Sequence, residues 1–88
     1  MTFQHQPDQK RYVLQLDGSE AYVSYRDVAG VRILDHSFVP PEFRGQKVGA
    51  ALVQQTYETL IEEGIEAKAT CSYLVALAKR QPEWRRFI

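Results

Sequence analysis

Cysteine is nearly absent from this chain: Cys71 is the single thiol in 88 residues. No internal disulfide can form, and no CxxC or Cys/His cluster offers metal-ligand spacing. Glycine and proline are also sparse, at five and four residues, too few for a low-complexity or fibrous chain. Neither sign of charge is in excess, since eleven Lys plus Arg balance eleven Asp plus Glu. The broad basic field that non-specific nucleic-acid or anionic-membrane binding needs is therefore lacking. No apolar run approaches the ~20 residues of a spanning helix. The opening MTFQHQPDQK has neither a basic n-region nor an apolar core. These absences lead us to expect a cytoplasmic, metal-free protein with no nucleic-acid partner and no membrane contact. What remains is an ordinary globular composition, 44% hydrophobic and 25% charged, with room for one core.

Residues 1–10 mix Gln, His, Pro, Asp and Lys without period, which reads as a loosely held, flexible N-terminus. Residues 11–88 are expected to form a single domain. Tyr12, Leu14 and Leu16 alternate, Asp17-Gly18-Ser19 supplies turn chemistry, and Ala21, Val23 and Tyr25 alternate again, so a β-hairpin is predicted. A turn around Asp27 to Gly30 leads into a third strand, Val31 to Val39, which Pro40-Pro41 must end. From Val48 to Gly64, Leu52, Val53, Tyr57, Leu60 and Ile61 recur at helical spacing, with Gly64 at the C′ position. Ile65 to Thr70 then reads as a strand returning parallel to the third. Ser72 is the expected N-cap of a second helix ending near Arg80, and Pro82 opens a last turn that folds Trp84 or Phe87 onto the core. The fold class is α+β (α/β mixed): an antiparallel three-stranded meander, a helix, a parallel strand and a C-terminal helix.

The segment between the third strand and the long helix carries the chemistry. In Arg44-Gly45-Gln46-Lys47-Val48-Gly49-Ala50, two glycines sit where a strand-to-helix turn aims unpaired backbone N–H groups and the positive end of a helix dipole at one spot. Arg44 and Lys47 add cations at a helix start, a position that favours anions, which suits a bound pyrophosphate. Read from the residues alone, a glycine-bearing turn of this kind is more often a plain connection.

This run resembles the R/Q-x-x-G-x-G/A acetyl-CoA signature of the GNAT superfamily of N-acetyltransferases. Together, DHSFVPPEFRGQKVGAALV and KATCSYLVALAKRQPEW are similar to the very small YjdJ-type GNAT-like proteins, whose second mark is a T/P-C-x-Y segment. Lys47 stands where the fourth signature position is usually Gly. The resemblance implies a minimal GNAT fold, with the helix following a pyrophosphate loop and the parallel strand splayed from the third strand. It also implies acetyl-CoA or coenzyme A as cosubstrate, its pyrophosphate held by backbone amides from Gly45 to Ala50. The pantetheine amides would pair with the strand end near Phe38 and Val39.

Cys71, just ahead of the second helix, is placed to have its thiolate favoured, although free cysteines are more often small apolar fillers. The resemblance implies that this sulfur lies near the thioester and acts as acyl acceptor or catalytic group. His36 shares a strand face with Leu34 and Phe38 if alternation holds, which makes it a candidate general base, or else a satisfied strand residue. Tyr73 could donate its phenol to the leaving thiolate or serve as a core anchor. Lys79, Arg80, Arg85 and Arg86 read as a solvated face or as a phosphate contact, and His5 is left aside. The expected function is acetyl transfer to an unidentified amine or protein acceptor, directly or through Cys71. A non-catalytic CoA or acyl-CoA binding module and a plain interaction domain are the alternatives.

Overall fold

Phe3 and His5 turn toward the body of the protein while Thr2 and Gln4 stay exposed, and this alternation makes Thr2–Gln6 a strand, β1. The expectation of a loose N-terminus is thereby corrected. β1 pairs antiparallel with β2 (Arg11–Leu16) in an unbroken register from Thr2↔Gln15 to Gln6↔Arg11. Phe3 packs against the core, and a His5 ring stacked 4.2 Å from that of Tyr12 fixes the far end. The computed structural model describes residues 1–88.

β2 turns at Asp17-Gly18 into β3 (Ser19–Val28), and β3 turns at Ala29-Gly30 into β4 (Val31–Phe38). The predicted three-stranded meander is present, with β1 added at its edge. Pro40 and Pro41 end β4 as expected, and a single 3-10 turn, Pro41–Phe43, leads to helix α1 (Val48–Glu63). Gly64 closes α1 in the left-handed region, φ 67°, with its N–H on the Ile61 carbonyl. The return strand β5 (Ala67–Ala69) is shorter than predicted and pairs parallel with β4, giving a five-stranded sheet ordered β1-β2-β3-β4-β5. Helix α2 (Ser72–Ala78) comes next, with Cys71 rather than Ser72 at its N-cap, and a 3-10 turn over Pro82–Phe87 ends the chain.

Both α-helices pack on one face of the sheet. Tyr12, Leu14, Val23, Tyr25 and Leu34 from the strands meet Leu52, Val53, Tyr57 and Leu60 of α1 and Leu74 of α2 in one buried cluster. Each such side chain contributes ~1.5–3 kcal/mol by leaving water. Trp84 and Phe87 both fold back, their rings 5.2 and 5.0 Å from that of Tyr57. The Tyr57 hydroxyl, buried between the helices, donates to the Leu74 carbonyl at 2.9 Å and so docks α2 onto α1.

Two irregularities of β4 set the shape of the sheet beyond Leu34. Its pairing with β5 stops at Leu34↔Ala69, where the Leu34 carbonyl accepts from both Thr70 N–H (3.0 Å) and Cys71 N–H (3.3 Å) before the chain turns into α2. Past that point β4 and β5 diverge, which is the expected splay. The second is a β-bulge: against β3 the register runs Ser24↔His36 and then Tyr25↔Leu34, leaving Asp35 unpaired. One extra residue inverts the alternation of everything after it.

Candidate functional site

Between the end of β4 and the start of α1 lies an open groove of about 460 Å³, a volume within the ordinary range of small-molecule sites. The loop that forms its floor is tied down from within. Arg44 Nε donates to the Val39 carbonyl at 3.0 Å, and the Gln46 amide donates to the Glu42 carbonyl at 3.1 Å. Gly45 adopts φ +85° with open space where a Cβ would be, so glycine is required there by backbone conformation.

Lys47 has φ 63° and ψ 18°, the left-handed conformation, at the N-cap of α1. A Cβ makes that conformation cost ~1–2 kcal/mol. Glycine would adopt this conformation without that cost, whereas lysine holds it under strain. The first intrahelical bond runs from Ala51 N–H to the Lys47 carbonyl at 3.1 Å, and no side chain caps the helix. The N–H groups of the first turn are therefore left to solvent or a ligand. Neither Arg44 nor Lys47 belongs to any of the ion pairs, all of which lie along the sheet. Free amides, a helix N-terminus and two unpaired cations fit an anionic pyrophosphate.

The inner end of the groove is formed by Ser37, Val39 and Tyr73. Cys71 is not among the lining residues; its sulfur lies 3.4 Å from the Ser37 hydroxyl. Burial alone would push the Cys71 thiol up. The hydrogen bond with Ser37 and the backbone N–H groups of Leu74, Tyr73 and Ser37 outweigh it and hold the thiol below its ordinary pKa.

Of the residues singled out in the sequence, Val39, Arg44, Gly45, Lys47, Val48, Gly49, Ala50 and Tyr73 line this one groove. Gln46 serves the loop through its bond to Glu42. His36 and Phe38 depart from expectation. The bulge at Asp35 sends their side chains to the face opposite the helices, where they pack against Tyr22 with ring centroids 6.0 and 5.6 Å away. Neither His36 nor Phe38 is among the residues that line this groove. Ser37 takes the inward position instead, and Phe43 joins the lining. The signal for Ser37 is a phase conflict within β4: Leu34 and Val39, five positions apart, cannot both face inward in a regular strand.

Two of the four basic residues near the end of the chain are engaged locally. Arg85 donates twice to the Lys79 carbonyl, at 3.3 and 3.0 Å, and the Arg86 guanidinium lies 5.4 Å from the Phe87 ring centroid. No helix is long and apolar enough to cross a membrane.

A model of the GCN5-related N-acetyl-transferase family matches residues 11–87, from the start of β2 to the closing 3-10 turn. Among curated proteins, the chain is similar to Protein NATD1 of Danio rerio and of Gallus gallus. It is 27% identical to each over 82 residues, covering 90% of this chain and 74% of each relative. Protein NATD1 of Homo sapiens matches at the same identity over 90% of this chain and 73% of its own length.

Proposed function

This chain belongs to the GCN5-related N-acetyltransferase family, and from that premise we propose that it transfers an acetyl group from acetyl-CoA to an amine. The observation that carries this reading is a groove lined by an uncapped, cation-flanked helix N-terminus and by Ser37, whose hydroxyl lies 3.4 Å from the Cys71 sulfur. The N–H groups ahead of Ala51, with Arg44 and Lys47, would hold the pyrophosphate. The edge of β4 exposed by the splay would accept the pantetheine amides at Phe38 and Val39. Acetyl-CoA supplies an activated acetyl group as a thioester.

Cys71 Sγ, as thiolate, would attack the thioester carbonyl. A carbon–sulfur bond forms to Cys71 as the bond to coenzyme A breaks, and the departing thiolate takes a proton from the Tyr73 phenol or water. An acceptor amine would then attack the acetyl-cysteine, restoring the Cys71 thiolate and passing its own proton to solvent. The groove is open on one side, which suits a macromolecular acceptor.

A second reading, a CoA or acyl-CoA binding module without turnover, draws support from His36: with that imidazole on the opposite face, the groove has no histidine base to deprotonate an amine. Incubation with acetyl-CoA followed by peptide mapping separates the two. The acyltransferase reading expects an acetyl group on Cys71 that hydroxylamine removes, with CoA released as it forms and in further turnovers once an amine takes the acetyl group. CoA binding with no acetyl transfer to Cys71 or to any amine would leave the binding module.

A further inference from the structure

We propose that Ser37 is the positioning residue for Cys71, its hydroxyl steering and holding the sulfur at the inner end of the groove. This rests on the reading of Cys71 as acyl acceptor. Three observations carry it. The Ser37 hydroxyl lies 3.4 Å from Cys71 Sγ, within hydrogen-bonding distance for sulfur. Ser37 lines the groove and Cys71 does not, so the serine hydroxyl links the sulfur to the groove. Finally, Ser37 faces inward because Asp35 is bulged out of the β3–β4 ladder; in a regular strand the residue on that side would be His36. Bulges of this kind re-aim side chains beside functional sites.

A hydroxyl suits the task because it rotates. It accepts from the thiol when Cys71 is protonated and donates to the sulfur when Cys71 is a thiolate. Ser37 Oγ is the sulfur's hydrogen-bond partner, and Cys71 makes no side-chain cap to the first turn of α2. Two phenols are near it: Tyr73, which rests against Gly49 at the groove, and Tyr57 of α1, which is committed to the Leu74 carbonyl and which burial, then the charge of Cys71, holds above the usual phenol range. Ser37 is therefore the side-chain partner that can follow the sulfur through a change of charge.

The test is the pH profile of Cys71 alkylation by iodoacetamide in the full chain without CoA, for the parent, Ser37→Ala and Ser37→Thr. Ser37→Ala should slow alkylation at neutral pH by roughly tenfold and move the profile to higher pH, the effect of losing one hydrogen bond to a charged group. Ser37→Thr keeps the hydroxyl in a residue that strands accept and should restore the parent profile. Thermal unfolding of all three should coincide within a few degrees, so that a shifted profile reports on the sulfur and not on the fold. If the Ser37→Ala profile superimposes on the parent's, or if threonine fails to rescue a correctly folded variant, the proposal is overturned. The acyl-acceptor reading is judged separately. A rescued shift with no acetyl on Cys71 keeps Ser37 as the sulfur's partner and removes the relay. Acetylation of Ser37→Ala at the parent rate keeps the relay and removes Ser37.

Discussion

The Tyr73 phenol rests against the bare backbone of Gly49: a Cβ built on Gly49 would stand 2.8 Å from Tyr73 Oη and 3.2 Å from its Cε2 and Cζ. In the sequence Gly49 reads as leaving room for a phosphate, and in the structure it leaves room for a tyrosine. The ring in turn bridges the first turn of α1 and the start of α2, next to Cys71. Because Tyr73 is 41% exposed, a methyl group at position 49 would swing the phenol aside rather than break the fold. Gly49→Ala is therefore expected to keep stability within ~1 kcal/mol, helped by the better helix propensity of alanine. CoA binding should weaken. In a Tyr73→Ala background the same substitution should lose most of its effect, a coupling that a double-mutant cycle by calorimetry would measure. Additive losses would mean that Gly49 acts on the ligand directly.

Lys47→Gly should relieve the left-handed strain at the α1 N-cap. After allowing for the greater freedom of glycine in the unfolded chain, a gain of ~0.5–1 kcal/mol is expected in urea unfolding. The same change removes one cation and frees the backbone, effects that oppose each other in CoA binding. The net change in affinity should stay within about tenfold, or ~1.4 kcal/mol. A loss of several orders of magnitude would make the Lys47 ammonium the dominant phosphate ligand.

His5 gives the fold an acid sensitivity. Its Nε2 lies 2.6 Å from the Tyr25 hydroxyl, and burial first, then the charge of Arg32, lowers its pKa in the folded state. On unfolding it returns to about 6.5, so below that pH the unfolded chain binds the extra proton and stability falls as pH decreases. Chemical denaturation at pH 7.5 and 5.5 should show a smaller acid loss in His5→Gln than in the parent. Equal losses would mean that other groups account for the acid sensitivity.

Tyr57→Phe leaves the buried Leu74 carbonyl without the donor that docks α2. The Leu74 carbonyl keeps its bond within α2, so a cost of ~0.5–1.5 kcal/mol is expected, the net worth of one hydrogen bond. Cys71 and Tyr73 depend on that docking, so CoA should protect the thiol from alkylation less well in this variant. Full protection at reduced stability would confine the Tyr57 hydroxyl to a structural role.

The main elements were legible because each rests on local chemistry: alternation around Asp17-Gly18, helical spacing from Leu52 to Ile61, and glycine at the end of α1. The glycine-bearing turn was legible for the same reason, since its residues are contiguous. β1 was not, because Gln4 and Gln6 give an edge strand the composition of a tail, and the inward alternation of Phe3 and His5 spans only one period. The site differed most at the bulge. Whether Asp35 is accommodated in the ladder or expelled depends on how β3 pairs with β4, a long-range contact that decides between His36 and Ser37 at the sulfur. Position in the chain identified Cys71; the sheet determines its partner.

The central claim is that coenzyme A binds along the groove from the α1 N-terminus to the Ser37–Cys71 pair, and an amide-resolved NMR titration of the chain with CoA tests it most directly. The largest shifts are expected at Gly45 to Ala50, with further shifts at Ser37 to Val39 and Cys71 to Tyr73. The outer face at Tyr22 and His36 should change little. Saturable shifts centred on other residues, or none at millimolar CoA, would contradict it.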